Sequence, residues 1–348
     1  MSQQLPATHK AIQLRNPGPN PTVSLTADLP LPTVSPGDVL IRSTYAGINF
    51  IENYFISGLY PAPTDPYTLG SEGSGYIVAL GTDVASHPDA SIRELKLGDR
   101  VAHVTRGAYA QYTAVPAEKV FKLPDDLSDD IGAATLLQGL TAIVLTREAY
   151  PAQRGDLVLV HAAAGGVGTI LVQLLSHVIG ARVIATASTK EKRDIAKANG
   201  AEWVIPSGKG DEDRDQWIAA VKSIPEVSAR GGVTAIYDSV GKSTFDGGLE
   251  VLARKGTFVS FGNASGAVEP FSILRLAPKC LRLIRASLDP YTSDRKDFVK
   301  YAEELVGHLT KGNVKASIYK TYPWEQINQA LEVRFRLTPP LALLQWNY

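Results

Sequence analysis

The rhythm of hydrophobic and polar positions changes near residue 137. Before it, short apolar stretches alternate with Gly and Pro, as at residues 38–45, 74–81 and 98–103. Short strands between such turn residues predict a mainly β, partly barrel-like unit. After residue 137, apolar runs of strand length alternate with stretches of helical length. The chain is therefore expected to contain a β unit and an α/β unit.

The second part is predicted as a series of strands and helices. Strands are predicted at residues 156–161, 182–187, 203–205, 233–238 and 257–261, and helices at residues 169–179, 188–200, 215–224 and 244–252. Alternation of this kind indicates a parallel sheet with helices on both faces. The tail after residue 294 is predicted as helix, strand, helix and strand, and we expect it to pack back on the first unit.

Composition narrows the possible partners. The 348 residues carry 35 Lys and Arg against 35 Asp and Glu, so the formal net charge is zero and no global basic field attracts nucleic acid or an anionic membrane. The one cysteine, Cys280, excludes an internal disulfide, and its Leu-rich surroundings predict a buried, inert thiol. Neither a membrane-spanning run nor a secretion signal is evident, so we expect a cytoplasmic protein.

A glycine-rich turn separates the strand at 156–161 from the helix that follows. Its spacing is Ala162-x-x-Gly165-x-x-Gly168, with Ala in place of the usual first Gly. Small residues let the backbone approach a pyrophosphate, and the helix N-terminus offers N–H groups and the positive end of a dipole. The turn predicts a dinucleotide site. Its contacts are expected from Ala164, Gly165, Gly166, Val167 and Gly168.

The end of the next strand indicates which dinucleotide binds. An NAD enzyme carries Asp or Glu about 20 residues after the turn to hold the ribose hydroxyls. Residues 185–189, which include Ser188, contain no acid, and Lys192 and Arg193 follow. Without repulsion from a carboxylate, Lys192 can attract a 2′-phosphate, so the cofactor is predicted to be NADP. Arg193 is equally well explained as part of a solvated helix face.

Several blocks of sequence carry a family resemblance. They are residues 46–54, 57–60, 70–75, 161–168, 237–241, 260–266 and 285–288. Together they resemble quinone oxidoreductases of the zeta-crystallin type, the zinc-free branch of the medium-chain dehydrogenase/reductase superfamily, and most of all its microbial and fungal members.

The resemblance implies an architecture. A doubly wound Rossmann domain, residues 137–280, is inserted into a mainly β, GroES-like catalytic domain made of residues 1–136 and 281–348, with the active site in the cleft. The resemblance also implies a homodimer or tetramer, joined through the edge strand of the cofactor domain near residues 281–288.

No metal site is expected. Zinc-dependent relatives place Cys at the position matching Asn49 and His at the position matching Ser71, and the four-Cys structural lobe of those relatives is missing. Glu72 has no evident ligand partners. The six His residues are scattered, and structural roles are favoured for His103 and His161.

The resemblance assigns the remaining site residues. Asn49 and Tyr54 are expected near the nicotinamide, and with Tyr60 they would orient a quinone and donate hydrogen bonds to the developing charge. Each has a structural alternative, as a turn or core residue. Further cofactor contacts are implied for Thr141, Ser239, Phe261, Gly262, Asn263 and Arg334. Ser207 stands where the family often has Tyr or His near the 2′-phosphate, which weakens the expected preference for NADPH.

The leading functional hypothesis is NADPH-dependent reduction of a quinone or another small electrophilic acceptor. An enoyl or enone reductase uses the same hydride geometry and stays open. A third hypothesis is binding of AU-rich RNA, as reported for some zeta-crystallin-like proteins, although the neutral charge gives it no support. A purely structural, lens-type role is the fourth.

Overall fold

The computed structural model describes residues 4–207, 214–337 and 340–346. The chain forms two compact units. The first consists of Met1–Leu137, Asp294–Val306 and Ala316–Tyr348, and the second of Gln138–Ser293 and Gly307–Lys315. The inserted domain expected over residues 137–280 agrees with the second unit at its start. It ends earlier than the second unit, which continues to Ser293 and includes Gly307–Lys315.

The described residues contain the following strands and helices. The strands are β1 (Thr8–Arg15), β2 (Thr22–Pro30), β3 (Asp38–Gly47), β4 (Tyr67–Thr68), β5 (Gly73–Leu80), β6 (Arg100–His103), β7 (Tyr112–Pro116), β8 (Val120–Lys122), β9 (Leu157–Val160), β10 (Arg182–Ala187), β11 (Trp203–Pro206), β12 (Val233–Asp238), β13 (Leu252–Ser260), β14 (Arg282–Arg285), β15 (Ile318–Pro323) and β16 (Leu341–Gln345). The helices are α1 (Ile51–Ile56), α2 (Ala90–Arg93), α3 (Asp129–Val144), α4 (Gly166–Gln173), α5 (Lys190–Ala198), α6 (Arg214–Lys222), α7 (Pro225–Arg230), α8 (Lys242–Val251), α9 (Leu288–Tyr291), α10 (Arg295–Thr310) and α11 (Ile327–Leu337).

The first unit is built on β sheets, as expected. A three-stranded sheet has the order β2-β1-β4, and a seven-stranded sheet has the order β15-β16-β3-β5-β6-β8, with β7 paired to β3. The tail does return to this unit, because β16 pairs antiparallel with β3, placing Leu343 opposite Gly47. Burial of the apolar run from Leu341 to Leu344 drives this pairing.

The second unit contains the predicted parallel sheet. Its order is β11-β10-β9-β12-β13-β14, and every neighbouring pair is parallel. The four residues of β9 are completely buried, which explains their continuous apolar run. The order of the strands reverses beside β9, the point where doubly wound sheets bind ligands.

Three local expectations need correction. The helix predicted from residue 188 begins at Lys190, because the Thr189 side chain caps α5 by accepting the Lys192 N–H. Cys280 is exposed rather than buried, because no residue of the 3₁₀ turn that it ends, Ile273–Lys279, is buried. The inserted unit does not stop at residue 280, because β14 pairs with β13 and completes the sheet.

Within the described ranges, no helix has both the length and the apolar character needed to cross a membrane.

Candidate active site

The predicted dinucleotide turn joins β9 to α4. Gly165 caps α4 in an extended conformation, and among the described residues no side chain caps this helix N-terminus. Ala162 has a positive φ of 51°, which turns the chain sharply out of the sheet. The first N–H groups of α4 are therefore presented by backbone geometry alone, as an anionic ligand requires.

Gly168 is sterically fixed in this turn. A Cβ at this position would lie 2.4 Å from the Ala162 carbonyl oxygen and 2.8 Å from the Ala163 Cα. At Gly165, a Cβ would meet only the Ala162 oxygen, at 3.3 Å. The close approach at Gly168 joins the first turn of α4 to the end of β9. The turn thus fits a pyrophosphate cradle, with Gly168 as its most demanding position.

His161 lies directly beyond β9 and is buried. Its Nδ1 is 2.9 Å from Thr186 Oγ1, and its ring packs edge-on against Trp217. Burial lowers the pKa of His161 to about 3, so the ring is neutral at ordinary pH. His103 is also buried, with its pKa lowered to about 4. Both environments favour structural roles.

The candidate 2′-phosphate residues lie where β10 and β11 end. The Ser207 N–H donates to the Ala187 carbonyl at 3.2 Å, which brings the ends of these two strands together. Arg193 donates through Nη1 to the Ser188 carbonyl at 3.2 Å and is thereby tied to the end of β10. Lys192 lies in the first turn of α5 and is half-buried. Ser188, Lys192 and Ser207 are thus brought to one edge of the sheet.

A second group lies where β12 and β13 end. Asp238 is buried and accepts hydrogen bonds from the Val240 and Gly241 N–H groups and from Thr244 Oγ1, while burial raises its pKa to about 6. This carboxyl shapes the loop that carries Ser239. A Cβ on Gly262 would lie 2.6 Å from the Ser239 carbonyl oxygen, so the loops after the two strands touch.

Asn263 and Phe261 belong to the same group. Asn263 satisfies both ends of its amide when its nitrogen donates to the Gly262 carbonyl and its oxygen accepts from Arg285 Nη2 at 3.1 Å. Phe261 and Asn263 are both half-buried. Thr141 is half-buried in α3, also within the second unit.

Asn49 lies in the first unit, between β3 and α1, and is 4% exposed. Its Nδ2 donates to Glu72 Oε1 at 2.7 Å and to the Gly47 carbonyl at 3.3 Å. Its backbone N–H donates to Glu52 Oε2 at 2.9 Å. Both hydrogens of the amide are therefore used inside the protein, which opposes the expected role of Asn49 as a donor to substrate.

Two buried carboxylates surround Asn49. Glu52 and Glu72 are both completely buried. Glu52 also accepts from the Ser71 hydroxyl at 2.8 Å, and Ser71 in turn accepts from Arg106 Nη1 at 3.0 Å. Burial raises the pKa of Glu52 to about 7, although the hydrogen bonds from Ser71 and Asn49 and the charge of Arg106 oppose this shift.

The phenols lie in an aromatic cluster beside this network. The rings of Tyr54 and Tyr60 have centroids 4.9 Å apart, and Phe50 packs edge-on against Tyr54. Tyr54 is buried and Tyr60 half-buried. The Tyr60 N–H donates to the Tyr54 carbonyl at 2.9 Å, so the segment after α1 folds back on the helix. The structure thus brings together all three predicted catalytic residues in one unit.

Arg334, predicted to contact the cofactor, is buried in α11 of the same unit. Its Nη1 donates to the Pro340 carbonyl at 3.3 Å. Burial lowers its pKa, while the negative charges of Glu52 and Glu72 favour its protonated form. The charge of Arg334 therefore interacts with the two buried glutamates around Asn49.

The sequence reasoning missed the two glutamates. Glu52 received no role, and Glu72 was considered only as a ligand without partners. The available signal was that Glu72 lies among small residues and that Glu52 is the one charged residue of α1. Among the described residues, no three His, Cys, Asp or Glu side chains are grouped so that they could hold a metal ion.

Known proteins are similar to this chain in both fold and sequence. A family model for alcohol dehydrogenase GroES-like domains matches residues 35–125, and one for zinc-binding dehydrogenases matches residues 166–306. A probable quinone oxidoreductase of Schizosaccharomyces pombe is 39% identical over 97% of each chain. The chain belongs to the quinone oxidoreductase family. It is thereby a medium-chain dehydrogenase/reductase with a GroES-like and a Rossmann-like domain.

Solved structures of related proteins agree with this assignment. A mycobacterial protein in complex with NADPH superposes with a TM-score of 0.88 at 36% identity, covering 97% of this chain and 100% of that one. The Escherichia coli quinone oxidoreductase, also in complex with NADPH, gives a TM-score of 0.86 at 32% identity with the same coverage. The predicted α/β fold class and family resemblance are both confirmed.

Proposed function

We propose that this protein is an NADPH-dependent quinone oxidoreductase. The observation that carries the proposal is the nearly full-length similarity to the S. pombe relative described as a probable quinone oxidoreductase. The two related structures solved with NADPH support the choice of cofactor. The enone-reductase alternative is less well supported, because this nearly full-length relative is described as a quinone oxidoreductase. The RNA-binding alternative is less well supported, since neither the charge balance nor a basic motif favours RNA.

The chain's own residues account for cofactor binding. The N–H groups at the start of α4 bind the pyrophosphate, because Gly165 and Gly168 let it approach the backbone. Lys192 neutralises the 2′-phosphate, with Ser188 and Ser207 beside it on the same edge of the sheet. Thr141, Ser239, Phe261, Gly262, Asn263 and Arg334 are proposed as further contacts.

The reaction needs orientation more than acid catalysis. NADPH supplies a hydride when bound, and a quinone is already electrophilic. The Tyr54 phenol donates a hydrogen bond to the reduced oxygen, and Tyr60 packs against Tyr54 and limits how the acceptor ring enters. Asn49 is held rigidly beside them by Glu52 and Glu72.

Zinc has no part in this proposal. The positions that hold Cys and His in zinc-dependent relatives carry Asn49 and Ser71, and these side chains donate to Glu72 and Glu52. An amide nitrogen and a hydroxyl engaged in this way do not fit a zinc ligand set. Elemental analysis of purified protein should find no stoichiometric zinc. One tightly held zinc per chain, lost together with activity, would refute this part of the proposal.

A homodimer through the second unit is also proposed. Strand β14 lies at the end of the parallel sheet order, and an edge strand is a template for pairing with a second copy. The turn before it exposes Ile273 and Leu274 by 77% and 75%. Sedimentation should therefore detect a dimer, and Leu274→Asp should shift it toward monomer. An unchanged dimer in that variant would exclude this surface.

The proposed activity can be tested with a panel of acceptors. NADPH oxidation is followed with bulky ortho-quinones, para-quinones and enals as acceptors, and NADP⁺ reduction is followed with primary alcohols as donors. We expect quinones to be reduced and alcohols not to be oxidised, because the side chains that replace the zinc ligands cannot lower the pKa of an alcohol as a metal does. Preference for enals over every quinone would support the enone-reductase alternative. A cytoplasmic location completes the proposal and can be checked by cell fractionation.

A further inference from the structure

Arg285 is the last residue of β14 and lies beside the end of β13. The two strands are parallel, with Arg285 opposite Ser260, and the Ala286 N–H donates to the Ser260 carbonyl at 2.8 Å. The Arg285 side chain reaches across to β13, because its Nη1 donates to Ser260 Oγ at 3.0 Å. The guanidinium is thereby placed at the carboxyl end of the strand, the edge at which parallel sheets of this kind bind ligands.

The same guanidinium also holds the loop after β13. Nη1 donates to the Gly262 carbonyl at 3.3 Å, and Nη2 donates to Asn263 Oδ1 at 3.1 Å. The Asn263 amide nitrogen donates to the same Gly262 carbonyl at 2.9 Å. Arg285, Gly262 and Asn263 therefore form a closed circuit of three hydrogen bonds, which fixes the amide and the backbone together. A guanidinium suits this circuit because its donors form a rigid planar fork.

The loop after β13 is joined on its other side to the loop after β12. The Ala264 N–H donates to the Ser239 carbonyl at 3.1 Å. Asp238, which shapes the loop of Ser239, also responds to the charge of Arg285. Burial raises the pKa of Asp238 to about 6, and the charge of Arg285 opposes this shift by favouring the carboxylate. Arg285 therefore acts on both loops that meet at this edge of the sheet.

We propose that Arg285 is a positioning residue for the cofactor. It holds Gly262 and Asn263 in the conformation that contacts the dinucleotide, and it acts through them rather than on the dinucleotide itself. The inference rests on the proposed function, which places cofactor contacts at Ser239, Gly262 and Asn263. These positions follow β12 and β13, whereas the 2′-phosphate that distinguishes NADPH from NADH is assigned to the ends of β10 and β11. Loss of Arg285 should therefore weaken both cofactors alike.

Arg285→Ala and Arg285→Lys test this role, with Arg282→Ala as the matched control. Arg282 is an exposed arginine on the same strand, and its Nη1 donates to the Lys255 carbonyl at 3.2 Å, away from the loop. An effect that arises from the edge of the sheet should appear in both alanine variants. We expect Arg285→Ala to bind NADPH and NADH about 10-fold more weakly, and Arg282→Ala to change either affinity by less than about twofold. Arg285→Lys keeps the charge but lacks the fork, so it should still lose at least about threefold.

A double-mutant cycle asks whether Arg285 acts through the loop. Asn263→Ala is combined with Arg285→Ala, the affinity for NADPH is measured by calorimetric titration, and stability is measured by thermal unfolding. If Arg285 works by holding Asn263, the double variant should lose clearly less affinity than the product of the two single losses. Single losses that simply multiply would show that the two residues act independently and would overturn the inference.

Three further results would also contradict it. Lower thermal stability of Arg285→Ala with unchanged cofactor affinity would make Arg285 a purely structural residue. Wild-type affinity in Arg285→Lys would show that charge alone is sufficient. A loss confined to NADPH would assign Arg285 to the 2′-phosphate. Failure of the proposed function looks different, because the wild type would then reduce no quinone while the cofactor titrations still measure the role of Arg285.

Discussion

The candidate residues of the two units are held in place in different ways. In the second unit, the turn between β9 and α4 depends on backbone conformation, with Gly165 and Gly168 contributing the absence of a side chain. In the first unit, Asn49 is held by two side-chain carboxylates, those of the neighbouring Glu52 and of the more distant Glu72. Substitutions that add atoms should therefore disrupt the backbone site. Substitutions that change hydrogen-bonding polarity or charge should disrupt the side-chain network.

The largest expected effect is on the backbone site. Gly168→Val adds a branched side chain where even a Cβ would lie 2.4 Å from the Ala162 oxygen. Overpacking of this kind can cost about 3 kcal/mol, so NADPH should bind about 100-fold more weakly. Calorimetric titration of protein shown to be folded by circular dichroism measures this. Gly165→Ala is the matched control and should lose much less, and wild-type affinity in Gly168→Val would exclude the turn as the phosphate site.

The second effect concerns the side-chain network and depends on pH. The pKa of Glu52 is raised from 4.5 to about 7 in the folded protein, so the fold is favoured by protonated Glu52 at low pH. This stabilisation is present below pH 4.5 and is lost as the pH rises to about 7. Relative to Glu52→Gln, the free energy of unfolding of the wild type should fall by about 3 kcal/mol across this range.

Urea unfolding at several pH values measures the difference between the two proteins. Asp238, whose pKa is also raised, titrates in both proteins, so its contribution cancels in the difference between them. The control Glu269→Gln removes an exposed carboxylate that pairs with Lys242 and should give a nearly pH-independent difference above pH 5, because surface pairs contribute little to stability. A flat difference for Glu52→Gln would mean that folding does not raise the pKa of Glu52.

The third effect concerns Lys192, the charged side chain proposed to bind the cofactor beside the backbone site. Lys192→Ala should weaken NADPH binding by about 10- to 100-fold and leave NADH nearly unchanged, since a hydrogen bond to a charged group contributes about 1.5–3 kcal/mol. Lys190→Ala is the control, because Lys190 pairs with Asp194 on the same helix. Equal losses for both cofactors would show that Lys192 acts in packing.

The smallest effect concerns the phenols. Tyr54→Phe removes a hydroxyl but keeps the ring that packs against Tyr60. We expect turnover to fall about tenfold, less than the full value of a well-placed donor because Tyr60 is close enough to compensate in part. NADPH affinity should change less than about twofold, as titration can show. A parallel loss of affinity would instead make Tyr54 a binding residue, and Tyr60→Phe provides the matched comparison.

The same contrast explains what could be predicted from sequence. The strand at 233–238 and the turn at Gly168 were predictable, because each depends on neighbouring residues and a local pattern. The network around Asn49 was not, since Glu72 meets Asn49 and Leu137 only through the pairing of distant segments. The burial predicted for Cys280 was wrong because its apolar neighbours in Ile273–Lys279 are themselves not buried.

The pairing of β16 with β3 has a consequence for how the protein is made. A ribosome releases the N-terminal segments first, so Gln138–Ser293 is complete before Leu341–Gln345 is synthesised. We therefore expect the inserted unit to fold early, while the edge of β3 from Tyr45 to Gly47 waits unpaired for the tail. That stretch leads directly into Asn49, so we expect the strand edge beside it to be completed only when the tail arrives, and until then to be open to chaperones or other nascent chains.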